Sequence, residues 1–532
     1  MVYGIFNIKS SRCLKFTWKV NSIENSEDVE SAKKNKRDSF LKRRHTVTLL
    51  GFLCSVVMHS QRLNLSIAMV AMVNSTSILT TSSHRNSTEC PLPQKEHATL
   101  ETHRTGEFVW DPELQGHILG AGFLGYLLAQ IPGGLLAGRF GTKPILLIGL
   151  FAASICNLLS PVAAQQHAYL LAVIHLIRGM GQGLQQPSMS VLMAKWFPRN
   201  ERGFLSAFIY CGYPLGAFIA SLISGALCDL EFLGGWPLVF YTFGLLGVFV
   251  GFLMVFFFFE QPSDDPNITP SELQHIIQNQ DNSSVAARPP TPWKGILFSV
   301  PTYALVLALF GQYWMAFYFL SVHPTYMGTI LNIPIKENGI LSSGPFVAQA
   351  FTGFFACWLA FWLTKNKSIK INTLRKGANT LSCILFTIGT IGVYLSGCDT
   401  MWNEICLFIA TASIGFGFAG CLITAVDMSP TYCGVLMGFA STLASFSGFA
   451  IPMTMGALTK HEQTLAQWGK MFLITAGVGA GSGIVFLTLG STDIQPWDPC
   501  SSKDVNMNSS EKPQDKSLPM DSVEIQLKTQ KL

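Results

Sequence analysis

Apolar residues in this 532-residue chain fall in long uninterrupted blocks rather than in 3.6-residue stripes. Blocks of about 20 residues match the thickness of a bilayer's hydrocarbon core, so they predict membrane-crossing helices. Twelve such spans are predicted, near 46–73, 114–136, 144–164, 168–192, 203–228, 237–259, 298–323, 339–364, 377–396, 402–424, 431–457 and 467–490. The pattern predicts an all-α membrane protein with twelve transmembrane helices in two six-helix halves. Residues 1–45 read as a cytosolic N-terminal tail, 46–259 as the N-terminal half and 298–490 as the C-terminal half. A polar linker, 260–297, joins the halves, and 491–532 reads as a disordered cytosolic tail rich in Ser, Lys, Asp and Pro.

Two of the blocks carry an arginine at depth. The first reads TVTLLGFLCSVVMHSQRLNLSIAMVAMV, with Arg62 near its middle. Ser55, His59, Arg62 and Ser66 follow helical steps of three and four and share one face. The fourth reads HLIRGMGQGLQQPSM, where His175, Arg178 and Gln182 share a face that Gln185 and Gln186 continue. An arginine at bilayer depth costs at least ~2.5–3.5 kcal/mol, so it faces a bundle interior or a water-filled path. No carboxylate of comparable depth lies in the first half. Two buried cations without a partner predict a positive cavity that a small anionic substrate fills. The blander reading is that Arg62 snorkels or pairs with a carbonyl.

Only 13% of residues are charged and 49% are hydrophobic, which fits a lipid-embedded chain better than a soluble one. Basic residues are unevenly placed. Of 36 Lys and Arg, 28 lie on the side holding both tails, six on the other side and two within spans. By the positive-inside rule both termini are expected in the cytosol. The basic cluster Lys33–Arg44 precedes the first span without a cleavable apolar leader. The loop 74–112 then lies outside, and its sequons at Asn74 and Asn86 are expected to carry glycan. Most of the thirteen cysteines sit in spans as small apolar residues, and no metal-type CxxC occurs. Cys90 and Cys398 fall in outer segments, where a pairing stays open. No HExxH or GxSxG is present, which argues against an intramembrane enzyme. No metal, cofactor or nucleic-acid partner is indicated. The last residue, Leu532, suits a PDZ-type partner weakly, because Gln530 stands where Ser or Thr is wanted.

Between the second and third spans the chain reads GGLLAGRFGTK. This resembles the major facilitator signature, in which Gly134, Arg139, Gly141 and Lys143 would form a cytosolic gate; Gly138 stands at the acid position. Longer stretches carry a narrower resemblance: SQRLNLSIAMVAMVNST from Ser60, WDPELQGHILGAGFLGYLLAQIPGG from Trp110, KWFPRNERG from Lys195, GWPLVFYTFG from Gly235, IKENGILSSGPF from Ile335 and VDMSPTYCGVLMG from Val426. The chain is similar to the anion/cation symporter family of major facilitators. That family includes vesicular glutamate transporters, sialin and the type I sodium–phosphate cotransporters, and the last branch fits best.

The resemblance implies secondary active transport of phosphate, urate or aromatic carboxylates by alternating access. The drive would be sodium (Na+ being the possible coupling ion) or membrane potential, at the apical plasma membrane rather than a vesicle. Arg62 matches the family's anion-binding arginine, with His175 and Arg178 in support and Tyr126 and Tyr313 as further contacts. The glutamate used by proton-coupled members matches Gln182, which cannot carry a proton. The alternatives are a proton-coupled lysosomal or vesicular carrier, an uncoupled uniporter or channel, and a non-transporting scaffold.

Overall fold

The computed structural model describes residues 42–73, 107–110, 112–228, 230, 234–279, 290–321, 326–327, 330–331, 335–366, 369–459 and 464–501. The expected sequons at Asn74 and Asn86, most of loop 74–112, Cys90 and the C-terminal PDZ-type end lie outside them. Twelve spanning helices form among the described residues. In the first half they are α1 (Arg43–Met72), α2 (Pro112–Phe140), α3 (Thr142–Gln166), α4 (Ala168–Gly183 continued by Gln185–Trp196), α5 (Arg199–Tyr210 continued by Gly212–Cys228) and α6 (Trp236–Phe257). The second half holds α7 (Val300–Ser321), α8 (Ile335–Lys365), α9 (Ile371–Ser396), α10 (Thr400–Ser413, a 3-10 turn Ile414–Phe418, then Cys421–Met428), α11 (Cys433–Ala444 and Ser447–Thr459) and α12 (Leu465–Leu489).

Ten of these are long and apolar enough to cross a membrane by composition alone, and α1 and α4 are the two that are not. They are also the two carrying the deep arginines. Their polar residues turn inward, where hydrogen-bond partners exist, so the helices can still be buried. Outward, side chains such as Ile148, Phe249, Phe252, Phe256, Ile388 and Ile484 stand exposed and apolar, as a lipid-facing surface requires.

Each half packs around its own polar ties. In the first, Gln61 Nε2 donates to Ser154 Oγ at 3.1 Å and to the Phe243 carbonyl at 2.9 Å, joining α1 to α3 and α6. Asn64 Nδ2 donates to Asn157 Oδ1 at 3.0 Å, and Asn157 Nδ2 donates to the Phe240 carbonyl at 3.0 Å. Helices α2 and α4 touch backbone to backbone. A Cβ at Gly125 would strike the Leu176 carbonyl, and one at Gly179 the Gly122 carbonyl.

The halves meet at the end of the bundle where α1 begins, here the basal face. Two corrections to the sequence reading fall there. The stretch after α12 is ordered at its start rather than disordered throughout. Asp498 is buried and accepts from Ser429 Oγ at 2.6 Å and Thr431 Oγ1 at 2.8 Å, and Gln495 N donates to the Met428 carbonyl at 3.0 Å. The signal was hidden because a short polar strap without periodicity reads as tail until its partners are known. The linker also carries helices, Pro270–Gln278 and Trp293–Leu297. Glu272 in the first of these accepts from Arg43 N at 3.0 Å and Arg44 N at 3.1 Å, capping the start of α1. Cys398 is disulfide-bonded, and the ten other cysteines among the described residues carry no disulfide, so its partner lies outside them.

Candidate substrate site

A cavity of about 110 Å³ lies between the halves. Its first-half wall comes from Met58, His59 and Arg62 on α1, Tyr126 on α2, Gln182, Gln185 and Gln186 on α4, and Tyr213 on α5. The second half supplies Gln312, Tyr313 and Phe317 on α7, Phe346 and Gln349 on α8, and Ile414 and Phe418 on α10. The α1 residues arrive together because their spacing puts them on one helical face. Ser55, a turn nearer the basal face, is buried and accepts from Gln185 Nε2 at 3.2 Å. His59 stacks on Tyr213 with ring centres 5.3 Å apart.

Arg62 sits in an aromatic box. Its guanidinium carbon is 4.1 Å from the ring centre of Tyr126, 4.9 Å from Phe123 and 5.1 Å from Phe317. Ring faces attract a cation by ~0.5–2 kcal/mol each without neutralising it. Its Nη2 is buried with no hydrogen-bond partner. Among the described residues no carboxylate pairs with Arg62 and none lines the cavity. The positive charge therefore remains on offer to an occupant.

His175 and Arg178 do not line this cavity. Arg178 Nη1 donates to the Gln61 carbonyl at 2.6 Å and to Asn64 Oδ1 at 3.4 Å, which seals it between α1 and α4. His175 is fully buried, its Nε2 3.5 Å from Ser160 Oγ and its ring edge-on to Phe240. The expectation that both support the anion directly is thus corrected. They do share a helical face with Gln182. That face runs along the α1 seam, however, and opens on the cavity only from Gln182 onward. Gln182 is buried and donates to the Met58 carbonyl at 3.0 Å. Tyr126 and Tyr313 both reach Gln186 Oε1, Tyr126 at 3.3 Å. Gln186 thereby joins α2 and α4 to α7 across the two halves, a role that sequence position alone did not assign.

Basal closure uses fewer of the expected gate residues. Gly134 packs so tightly that a Cβ there would strike the Gly434 carbonyl, which makes it the crossing point of α2 and α11. Gly141 adopts φ +99°, and a Cβ would press on the Glu260 carboxylate. Arg139 is exposed and lies against its neighbour Phe140, while Lys143 Nζ donates to the Val255 carbonyl at 2.9 Å. Neither is seen to bridge the halves in these contacts. The acid missing at Gly138 is supplied from the end of α6: Glu260 accepts from Thr142 N at 2.9 Å and Lys143 N at 2.7 Å, and pairs with Lys195. Between the halves the acid is Asp427, 3.0 Å from Arg375 Nε and 3.7 Å from Arg202 Nη1. Arg202 belongs to α5 of the first half, so this ion cluster spans the interface. Gln130 Nε2 adds a 2.8 Å bond to Ser445 Oγ.

Two six-helix halves around a midline polar cavity, tied together at one face, define a secondary transporter of the alternating-access kind. The chain belongs to the Major Facilitator Superfamily, whose description matches residues 51–452; members are carriers and not enzymes, and need no cofactor. It is 32% identical to sialin of Ovis aries over 85% of this chain and 90% of that protein. It is 31% identical to sodium-dependent phosphate transport protein 1 of Mus musculus, over 87% and 96%. The proton:xylose symporter XylE bound to 6-bromo-6-deoxy-D-glucose superposes with TM-score 0.63 at 14% identity, over 85% of this chain and 97% of that one, and shares the fold.

Proposed function

We propose that this protein carries small organic anions across a membrane by alternating access, with Arg62 holding the anionic group. The observation that carries the reading is the unneutralised guanidinium of Arg62 facing the cavity between the halves. The name of the mouse relative, a phosphate transport protein, supports an anion as cargo. The opposite wall supports a substrate with a flat or apolar body: Phe317, Phe346, Ile414 and Phe418 offer ring and methyl surface that inorganic phosphate cannot use. Urate and aromatic carboxylates fit that division better than phosphate.

Sodium or membrane potential is the favoured drive, because Gln182 occupies the place of the proton-carrying glutamate. The charge asymmetry of the loops supports cytosolic termini and hence glycan at Asn74 and Asn86; only the resemblance to the type I sodium–phosphate branch supports an apical plasma-membrane home. The test is radiolabelled urate uptake by wild-type and Arg62→Ala proteoliposomes, with sodium, pH and voltage varied independently. Loss of uptake at normal protein incorporation is expected; normal uptake by Arg62→Ala would remove Arg62 from the site and end this reading.

A further inference from the structure

The cavity holds a second unsatisfied donor besides Arg62. Gln186 is only 3% exposed, and its Oε1 accepts from the hydroxyls of Tyr126 and Tyr313; the latter is also 3.4 Å from Ser441 Oγ. The amide nitrogen is buried with no partner. A buried donor left unmade is unfavourable, so the position is complete only when an acceptor arrives.

We propose that Gln186 is the substrate's second anchor: its Nε2 donates to an acceptor oxygen or nitrogen of the anion whose charge Arg62 holds. The inference rests on the reading of Arg62 given above and narrows the substrate class. Anions carrying a further acceptor on the same framework, such as urate, satisfy both donors. Anions with one carboxylate on a bare ring, such as benzoate, carry no second acceptor group on the ring for Gln186 to reach. The arrangement also makes occupancy felt by both halves. Tyr126 comes from the first half and Tyr313 from the second, and both hold the amide that binds the substrate.

The test uses the full chain in proteoliposomes with urate and benzoate as probes, benzoate as labelled substrate and as competitor of urate. Gln186→Leu removes the donor and the tie to the tyrosines. Gln186→Glu keeps an oxygen for both hydroxyls, removes the donor and adds an acid to the wall that holds Arg62. Each variant is expected to raise the ratio of the half-saturating concentrations of urate and benzoate about tenfold, the loss of one good hydrogen bond that only urate makes. Equal losses for both probes would make Gln186 a tie between the halves and overturn the proposal. So would wild-type urate affinity in Gln186→Glu, or a wild-type carrier that neither moves urate nor is inhibited by it. An Arg62→Ala carrier with normal uptake would fail the parent reading instead, so the two failures are distinguishable.

Discussion

Helices α1 and α7 open the two halves and follow the same plan with different outcomes. On α1, Gln61 bonds Ser154 of α3, and the next residue, Arg62, faces the cavity. On α7, Gln312 bonds Ser382 of α9 at 3.2 Å and Asn379 at 3.4 Å, and the next residue, Tyr313, faces the cavity. In each case a glutamine pins the first helix of a half to the third and thereby aims its neighbour inward. The scaffold is repeated and the delivered group is not: a cation on one side, a phenol on the other. The difference teaches that charge recognition resides in one half and shape recognition in the other. A substrate bonding to both is what brings the two walls to terms.

The ion cluster that joins the two halves offers the largest break. Asp427→Ala leaves Arg202 and Arg375 buried without their shared carboxylate. We expect a stability loss of about 4 kcal/mol, measured as a lowered midpoint in a thermal melt of purified protein, with basal-side accessibility to thiol reagents increased. Arg62→Ala removes the charge from the first-half wall alone. Uptake efficiency should fall by two to three orders of magnitude, about 3–4 kcal/mol, at unchanged surface level.

Phe317→Ala trims the second-half wall and one face of the aromatic box. The half-saturating concentration for aromatic anions should rise about tenfold, near 1.4 kcal/mol, while phosphate inhibition stays put; equal effects on both would erase the division between the walls. Gln182→Glu returns an acid to the first-half wall. When ionised it competes with the substrate for Arg62, and when protonated it does not. Uptake by this variant should therefore rise several-fold as pH falls, where the wild type shows a flatter profile. A variant unaffected by pH would show that position 182 does not communicate with the anion.

Much of this was legible in the sequence, for physical reasons. The spans could be placed because bilayer thickness sets a length that composition reports directly. Arg62 could be placed because a polar face on a spanning helix predicts a path whatever surrounds it, and two residues of that face, His59 and Arg62, do line the cavity. The error over His175 and Arg178 has the same origin. A shared face on α4 was correctly read, but which neighbour covers each turn of that face depends on how close α1 and α2 approach. The glycines that permit this approach show where helices can touch, not which ones do. Glu260 and Asp427 were missed as gate acids because each comes from a different part of the chain than the motif it completes. Gln186 was visible only as one more polar residue on α4 until the two tyrosines converged on it.

The glycine contact between α2 and α11 has a practical corollary. Gly134 and Gly434 leave room for nothing larger than hydrogen at the point where the basal ends cross. A methyl group on Gly134 would act as a wedge under a closed jaw, propping the molecule ajar at its basal face. A carrier frozen that way would still hold its cargo pocket but could not complete a cycle. It would supply a homogeneous sample of the posture opposite to the one seen here.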